Sequence, residues 1–201
     1  VKIVLDLSHY QGGDVGYLDV KNDHQNIDGV ILKVGQGATY VDPDFQKNLA
    51  GFKAVGLPVG GYFFYDPLVD PVVQATNFYN QIKDAKLDLV PVIDVEQAKG
   101  WNTLAIEKIS EDLQAFCDFI QEKMNVVPMI YTGPAFIKQY LGAFPLGYYR
   151  LWLAEYTIET PIGFNWVMWQ HTSGGKVDGI VSNVDMSYLK SDDLTPILMT
   201  A

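Results

Sequence analysis

The chain is poor in the residues that carry most metal, redox and phosphate chemistry. It holds one cysteine in 201 residues, so no intrachain disulfide can form. That residue, Cys117, shares a helical face with Ile109, Leu113, Phe116 and Ile120, which places it in a core rather than at a reaction centre. The histidines are His9, His24 and His171, and none stands three or four residues from another. No metal site and no cofactor are therefore expected. Basic residues are also scarce, 14 against 24 acids, for a net charge of −10. Such a surface suits neither nucleic acid nor anionic lipid. It suits a neutral or cationic ligand, such as a sugar chain. No apolar run approaches the roughly 20 residues needed to cross a bilayer, so no membrane insertion is expected. No basic segment followed by an apolar one opens the chain. The glycine pair in Gly35-Gln36-Gly37-Ala38-Thr39-Tyr40 lacks the Lys-Ser/Thr ending of a phosphate loop. No dinucleotide fingerprint follows the first apolar run.

What the chain does have is short aliphatic runs alternating with amphipathic segments. Lys2–Leu7, Gly29–Val34, Val59–Tyr65, Leu89–Glu96, Val126–Tyr131 and Arg150–Ala154 read as buried strands. Between them, Pro43–Val55, Pro71–Ile82, Leu104–Met124 and Pro134–Leu141 repeat apolar residues at helical spacing, and Asp19–Gln25 is a short polar helix or loop. After Ala154 the alternation stops. Trp166–Gln170 and Val184–Leu189 are strand-like, with glycines and no room for a helix between them. The apolar stretch Leu194–Ala201 reads as a further strand. Alternating strands and helices predict an α/β fold with a parallel sheet. Some eight strands with five long connections predict a TIM-like barrel, formed by residues 1–201 as one domain. A barrel of this kind places its working residues at the C-terminal ends of its strands.

The run Leu89-Val90-Pro91-Val92-Ile93-Asp94-Val95-Glu96 ends in two carboxylates spaced i, i+2. In a strand these point to the same side, with Val95 turned away. Held close beside an apolar sheet, each raises the other's cost of ionising. The strand-end rule adds Asp6, Lys33, Tyr62, Tyr65, Tyr131, Trp152, Gln170 and Asp185, with Trp169 beside them. Clustered acids without matching histidines point to glycosidic chemistry. One carboxyl protonates the leaving oxygen and another steadies or attacks the anomeric centre, while aromatic faces stack on sugar rings. Glu96, the longer and outermost of the pair, is the natural acid, its proton held by burial and by the charge of Asp94. Lys33 is expected to pair with the acids around it rather than to form a Schiff base.

At this point the ordered motifs become informative. They are Asp6-Leu7-Ser8-His9-Tyr10-Gln11, Asp42-Pro43-Asp44-Phe45 with Asn48, Gly56-Leu57-Pro58-Val59-Gly60-Gly61-Tyr62, Asp94-Val95-Glu96, Leu151-Trp152-Leu153-Ala154, Trp169-Gln170 and Val184-Asp185. In this order and over nearly the whole chain, the sequence resembles the lysozymes of glycoside hydrolase family 25, the Chalaropsis- or cellosyl-type muramidases. The resemblance implies a modified barrel, (β/α)5(β)3. It implies hydrolysis of the β-1,4 bond between N-acetylmuramic acid and N-acetylglucosamine in bacterial peptidoglycan. Glu96 matches the family's general acid, Asp94 its partner, and Asp6 and Asp185 its supporting acids. Tyr62, Tyr65, Lys33, Tyr131, Trp152 and Gln170 are the expected substrate contacts. The second chemical step stays open between the substrate's own acetamido oxygen and water.

The chain also departs from the pattern. Phe63 follows Tyr62 where a histidine is frequent, Glu155 follows the Leu-Trp-x-Ala segment, and the early Asp-Trp is replaced by Tyr17-Leu18-Asp19. These touch groove walls rather than acids. The competing reading is a catalytically inactive barrel that binds glycan. A third, a metal-dependent hydrolase using the acid cluster, predicts loss of activity in chelator. The expected setting is the bacterial cell wall, reached either as a phage endolysin released from the host cytoplasm or by secretion, by a monomer. The acidic charge is a poor match to anionic wall polymers and leads to the expectation of a separate wall-binding module beyond residue 201.

Overall fold

Pairing of the aliphatic runs closes a single sheet on itself. The computed structural model describes residues 1–12, 14–157 and 159–199. Its strands are β1 (Lys2–Leu7), β2 (Ile27–Gln36), β3 (Tyr40–Val41), β4 (Val59–Phe64), β5 (Val92–Asp94), β6 (Met129–Thr132), β7 (Arg150–Ala154), β8 (Trp166–Gly175) and β9 (Val184–Leu189). The spatial order is β1-β9-β8-β7-β6-β5-β4-β2, and β1 pairs with β2 to complete the ring. β9 runs antiparallel to both neighbours, β1 and β8, and the other pairs of the ring are parallel. β3 is a short hairpin partner of β2 outside the ring. A side chain at Gly35 would run into the Tyr40 carbonyl, so the β2–β3 hairpin requires glycine there.

Each of the first five ring strands is followed by a helix: α1 (Tyr17–Lys21), α2 (Phe45–Ala54), α3 (Pro71–Ile82), α4 (Ile106–Met124) and α5 (Pro134–Tyr140). β7, β8 and β9 follow without helices. The (β/α)5(β)3 expectation is met. Local chemistry explains the helix bounds. Asp70 caps α3 by accepting from the Val72 and Val73 N–H groups at 2.9 and 3.0 Å, with Pro71 as the first helical residue. Asn125 stops α4 in a left-handed conformation.

Two layers of core follow from the period-two alternation of the strands. Inward residues Val4, Ile31, Val92, Met129, Met168 and Leu189 fill the barrel. Outward residues such as Leu5, Leu32, Phe63 and Ile93 meet the helices. On α4 the buried apolar set is Ile109, Leu113, Phe116, Cys117 and Ile120, the face anticipated from spacing. Phe116 sits 5.8 Å from Phe63, 5.7 Å from Tyr65 and 6.3 Å from Phe78, ring centre to ring centre. The helix-free strands are covered differently. Ile137, Leu146, Phe164 and Tyr188 pack on Leu151, Leu153, Trp166 and Trp169. One residue of α5, a 3-10 turn, a loop and a neighbouring strand share there the work that helices do elsewhere.

Two expectations change. The Leu89–Glu96 run is paired in the ring only over Val92–Asp94. Pro91 has no N–H for a ladder, and the Val90 N–H turns instead to the Ile197 carbonyl at 2.8 Å. Leu194–Ala201 is not a regular strand. It makes a 3-10 turn at Thr195–Ile197 and a single bridge from Leu198 to Leu89, and residues 200 and 201 lie outside the described ones. Ile197 packs with Leu89, Val90 and Val126 in the barrel-core cluster.

Phe116→Ala leaves a cavity where three aromatic rings meet. It should lower the free energy of unfolding by about 3–5 kcal/mol, read from urea denaturation with an unchanged m-value.

Candidate active site

The inward positions at the C-terminal ends of the strands carry the polar residues. Asp6 stands opposite Asp185 across the antiparallel β1–β9 pair. Asp94 pairs laterally with Tyr131, and Tyr131 with Trp152. Lys33 pairs with Tyr62. Glu96 lies two residues past Asp94 on the same side, while Val95 joins the outer core. Its loop is pinned by Trp101, whose indole N–H donates to the Glu96 carbonyl at 2.9 Å. Trp101 is itself wedged edge-on against Phe136 at 4.9 Å.

A narrow central pocket of about 300 Å³ is lined by Asp6, Tyr62, Asp94, Glu96, Tyr131, Trp152 and Asp185. Wider recesses of about 760 and 880 Å³ flank it. One arm runs past Gln97, Phe136, Gln139 and Tyr156. The other runs past Ser8, Tyr10, Gln11, Lys33, Gln36 and Phe64. Glu96 lines all three. A narrow centre between two open arms fits a polymer lying across the mouth with one bond over Glu96.

Electrostatics favour protons on these acids. Burial, then the charge of Glu96, pushes the Asp94 carboxyl well above the usual range. Burial also raises Glu96, while its hydrogen bond with Asp94 works the other way. Burial holds Glu96 up as expected, but the charge of Asp94 is not among the causes; instead the charge of Glu96 acts on the deeper Asp94. Asp6 is raised well above the ordinary value by burial and by Asp185, and burial raises Asp185. Carboxyls that share hydrogen bonds this closely cannot all be ionised.

The expected contacts divide. Tyr62, Tyr131 and Trp152 line the central pocket, with Trp152 as a buried floor whose indole N–H donates to Ser187 Oγ at 2.9 Å. Lys33 lines one arm, but among the described residues it has no ion pair. Its ammonium donates to Gln36 Oε1 at 2.9 Å and lies over the Phe64 ring at 5.4 Å. Burial lowers its pKa, and the more distant acids oppose that. Tyr65 is a correction: it is 1% exposed and packs on Trp101 and Phe116 in the outer core. It has the opposite parity to Tyr62, so it cannot face the mouth. Trp169 is on the outer face for the same reason, against Trp166 and Tyr188. Gln170 does face inward, yet it is 1% exposed and lies behind Asp6 and two tyrosines rather than on the groove surface. Sequence reasoning missed Gln36 and Tyr156. A bulge between Lys33 and Gly35 shifts the inward parity onto Gln36. Tyr156 could have been found by extending the parity of Trp152 and Ala154 into the loop.

Away from the mouth, Asp23, His24 and Asp178 come close enough to hold an ion. The oxygens of Asp23 already accept from the Gln25 and Asp178 backbone N–H groups at 2.8 Å each, so the cluster serves as a loop tie.

Fold and site together define a (β/α)5(β)3 barrel with an acid-lined groove open at both ends. The family model described as glycosyl hydrolases family 25 matches residues 5–180, and the chain belongs to that family. Among curated proteins it is similar to the autolytic lysozyme of Clostridium acetobutylicum, 31% identical over 179 residues, covering 88% of this chain and 53% of that protein. Among solved structures it is similar to the Clostridium perfringens spore cortex lytic enzyme SleM, with 28% identity and a TM-score of 0.86, covering 98% of this chain and 69% of that one. The bacterial lysozyme of Streptomyces coelicolor shares the fold at 22% identity and a TM-score of 0.86, over 96% and 94% of the two chains. The chain spans about half the length of the curated relatives it matches.

Asp94→Asn removes a carboxyl whose pKa is raised by folding. Such a group stabilises the fold below its unfolded pKa of about 4 and loses that contribution as pH rises through its folded value. The variant should therefore melt a few degrees higher than the parent at pH 7. The gain should shrink toward zero near pH 4, as scanning calorimetry across pH would show.

Proposed function

We propose that this chain hydrolyses the β-1,4 bond between N-acetylmuramic acid and N-acetylglucosamine in peptidoglycan strands, with Glu96 as general acid. The observation that carries this reading is the position of Glu96. It is common to the central pocket and both arms, with Asp94 buried behind it. Family membership and the similarity to an autolytic lysozyme support the substrate class.

Asp94 and Glu96 hold a proton between them. A glycan over Glu96 removes its remaining water, which favours the proton on Glu96 and its transfer to the leaving oxygen. Asp94 lines the central pocket beside Glu96, where it can orient the acetamido group, so in this reading the attack comes from the substrate's own acetamido oxygen rather than from water. The Asp94 carboxyl, on the pocket lining, can accept from the acetamido N–H. Asp6 and Asp185 add negative potential beneath the developing positive charge. Among the described residues no helix is long and apolar enough to cross a membrane. The proposed place of action is the bacterial wall, reached by release or secretion, as a monomer.

Glu96→Gln should fold normally and lose about 10²–10⁴-fold in the clearing of wall suspensions. Clearing at the parent rate would sink the assignment and favour an inactive binding module that owes its apparent activity to something else. Mass spectrometry of a digested, defined peptidoglycan should show N-acetylmuramic acid at the new reducing ends.

Acetamido participation predicts net retention of anomeric configuration. Proton NMR of the first product formed from a short glycan should show the β anomer before mutarotation. Initial release of the α anomer would exclude this route.

A further inference from the structure

A buried polar group beside the acids has no part in the mechanism. Gln170, on β8, is 1% exposed and sits among Asp6, Tyr131 and Tyr156. Burying a primary amide is costly unless its hydrogen bonds are made, and here three are. Nε2 donates to Asp6 Oδ2 at 2.9 Å. Oε1 accepts from the Tyr131 hydroxyl at 2.8 Å and from the Tyr156 hydroxyl at 2.8 Å.

We infer that Gln170 is a positioning residue that fixes the hydrogen-bond polarity of Asp6, Tyr131 and Tyr156 around the bond to be cleaved. The inference rests on the reading of Glu96 as proton donor and extends it. An amide oxygen only accepts, so both phenols must donate to it. A phenol has a single proton. Once that proton points at Gln170, each phenol oxygen offers only lone pairs to the groove. Tyr131 and Tyr156 both line the arm beyond Glu96. That arm therefore presents acceptors, matched to ligand groups that donate: the hydroxyls and acetamido N–H groups of a glycan. On its other side the amide N–H requires an unprotonated oxygen at Asp6 Oδ2. A proton shared by Asp6 and Asp185 must then sit on Asp185 or on the far oxygen of Asp6. One side chain orders groups from β1, from β6 and from the loop after β7, and none of the three could impose that order on the others.

Two substitutions separate positioning from packing. Gln170→Met keeps length and volume but removes every hydrogen bond. Gln170→Glu keeps the shape, and while protonated its O–H can still donate to Asp6 and its other oxygen can still accept from both phenols. The charged and titratable groups around it are Asp6 and Asp185 on β1 and β9, Asp94 and Glu96 at the end of β5, Tyr62 on β4, Tyr131 on β6, Tyr156 after β7, and Lys33 on β2 across the mouth. Among so many acids the introduced carboxyl keeps its proton well above about pH 4 and loses it as pH rises. The expected result is a ratio of Gln170→Glu to parent kcat/KM near one at about pH 5 that falls about tenfold or more by pH 8, on a soluble peptidoglycan oligomer. Gln170→Met should be reduced about 10- to 100-fold across the range, chiefly in kcat.

Tyr156→Phe supplies a reading that does not depend on tolerance at the buried position, since Tyr156 is 57% exposed. It should lower activity about three- to tenfold in the parent and less than twofold in Gln170→Met, a non-additivity that marks a shared network. A pH-independent ratio for Gln170→Glu, or additive losses in the double variant, would overturn the inference. Where neither substitution at 170 folds, an unchanged kcat in Tyr156→Phe overturns it and a lowered kcat at constant melting temperature sustains it. Glu96→Gln in parallel keeps the two readings apart. Loss there with parent-like Gln170 variants sinks only the positioning role, and retained activity there sinks the catalytic assignment beneath it.

Discussion

The constraint on which this structure turns is the gathering of four carboxylates at the mouth of one barrel. Asp6 and Asp185 face each other across neighbouring strands, where like charges oppose pairing. Asp94 and Glu96 project from one strand end over a floor of Trp152. Water reaches Glu96 and Asp185 in part but hardly reaches Asp6 and Asp94, so shared protons and fixed donors relieve the rest of the repulsion. The surroundings are built for that. The Gln170 amide points at Asp6, the Trp101 indole holds the Glu96 carbonyl, and Ser187 fixes the Trp152 ring. These contacts hold the Asp6 carboxyl, the Glu96 loop and the Trp152 floor in place while leaving the protons of the acids free to move. The site is thus a standing cost to stability, kept because the rest of the barrel is well packed.

The asymmetry of the barrel follows from where helices stop. Over β4 and β5 the outer face is covered by aromatic packing among Phe63, Phe78 and Phe116. Over β7 to β9 it is covered by loop residues such as Leu146 and Phe164. A βα connection must leave the strand end and turn down into a helix. The loop after β7 has no helix to enter, so it can stay at the mouth. That is how Tyr156, largely exposed, reaches back to Gln170 and walls one arm. The opposite arm is walled by the β2–β3 hairpin, which places Tyr40 and Gln36 beside Lys33.

Most of this was legible in the sequence, for a reason that also explains the misses. A barrel strand alternates strictly between inside and outside. Once Asp94 and Glu96 fix the inward parity of one strand, Asp6, Tyr62, Trp152, Gln170 and Asp185 follow on the others. Tyr65 and Trp169 stand at strand ends and so were expected at the mouth, but parity turns both outward. Gln36 breaks the rule because a bulge shifts its strand by one residue. Gln170 obeys it, but parity gives direction and not depth, and only the three-dimensional packing shows that Asp6 and the tyrosines stand in front of it. The seat of Ile197 in the barrel-core cluster depends on a long-range pairing that no local pattern encodes.

The net charge of −10 overstates how negative the groove is. Its acids are the ones whose protons are held most tightly, because burial and mutual repulsion act together on them. Lys33 is the one cation among the described residues lining the three recesses, and burial lowers its pKa. The surface a ligand meets is therefore closer to neutral than the chain is, rich in hydrogen-bond acceptors and bounded by aromatic side chains. Negative charge outside the groove repels polyanions, while the groove accepts uncharged donors. A neutral, hydroxyl- and amide-bearing polymer satisfies both conditions. The same coupling ties affinity to chemistry, since a ligand that covers Glu96 strips away the water that competes for the proton the pair shares.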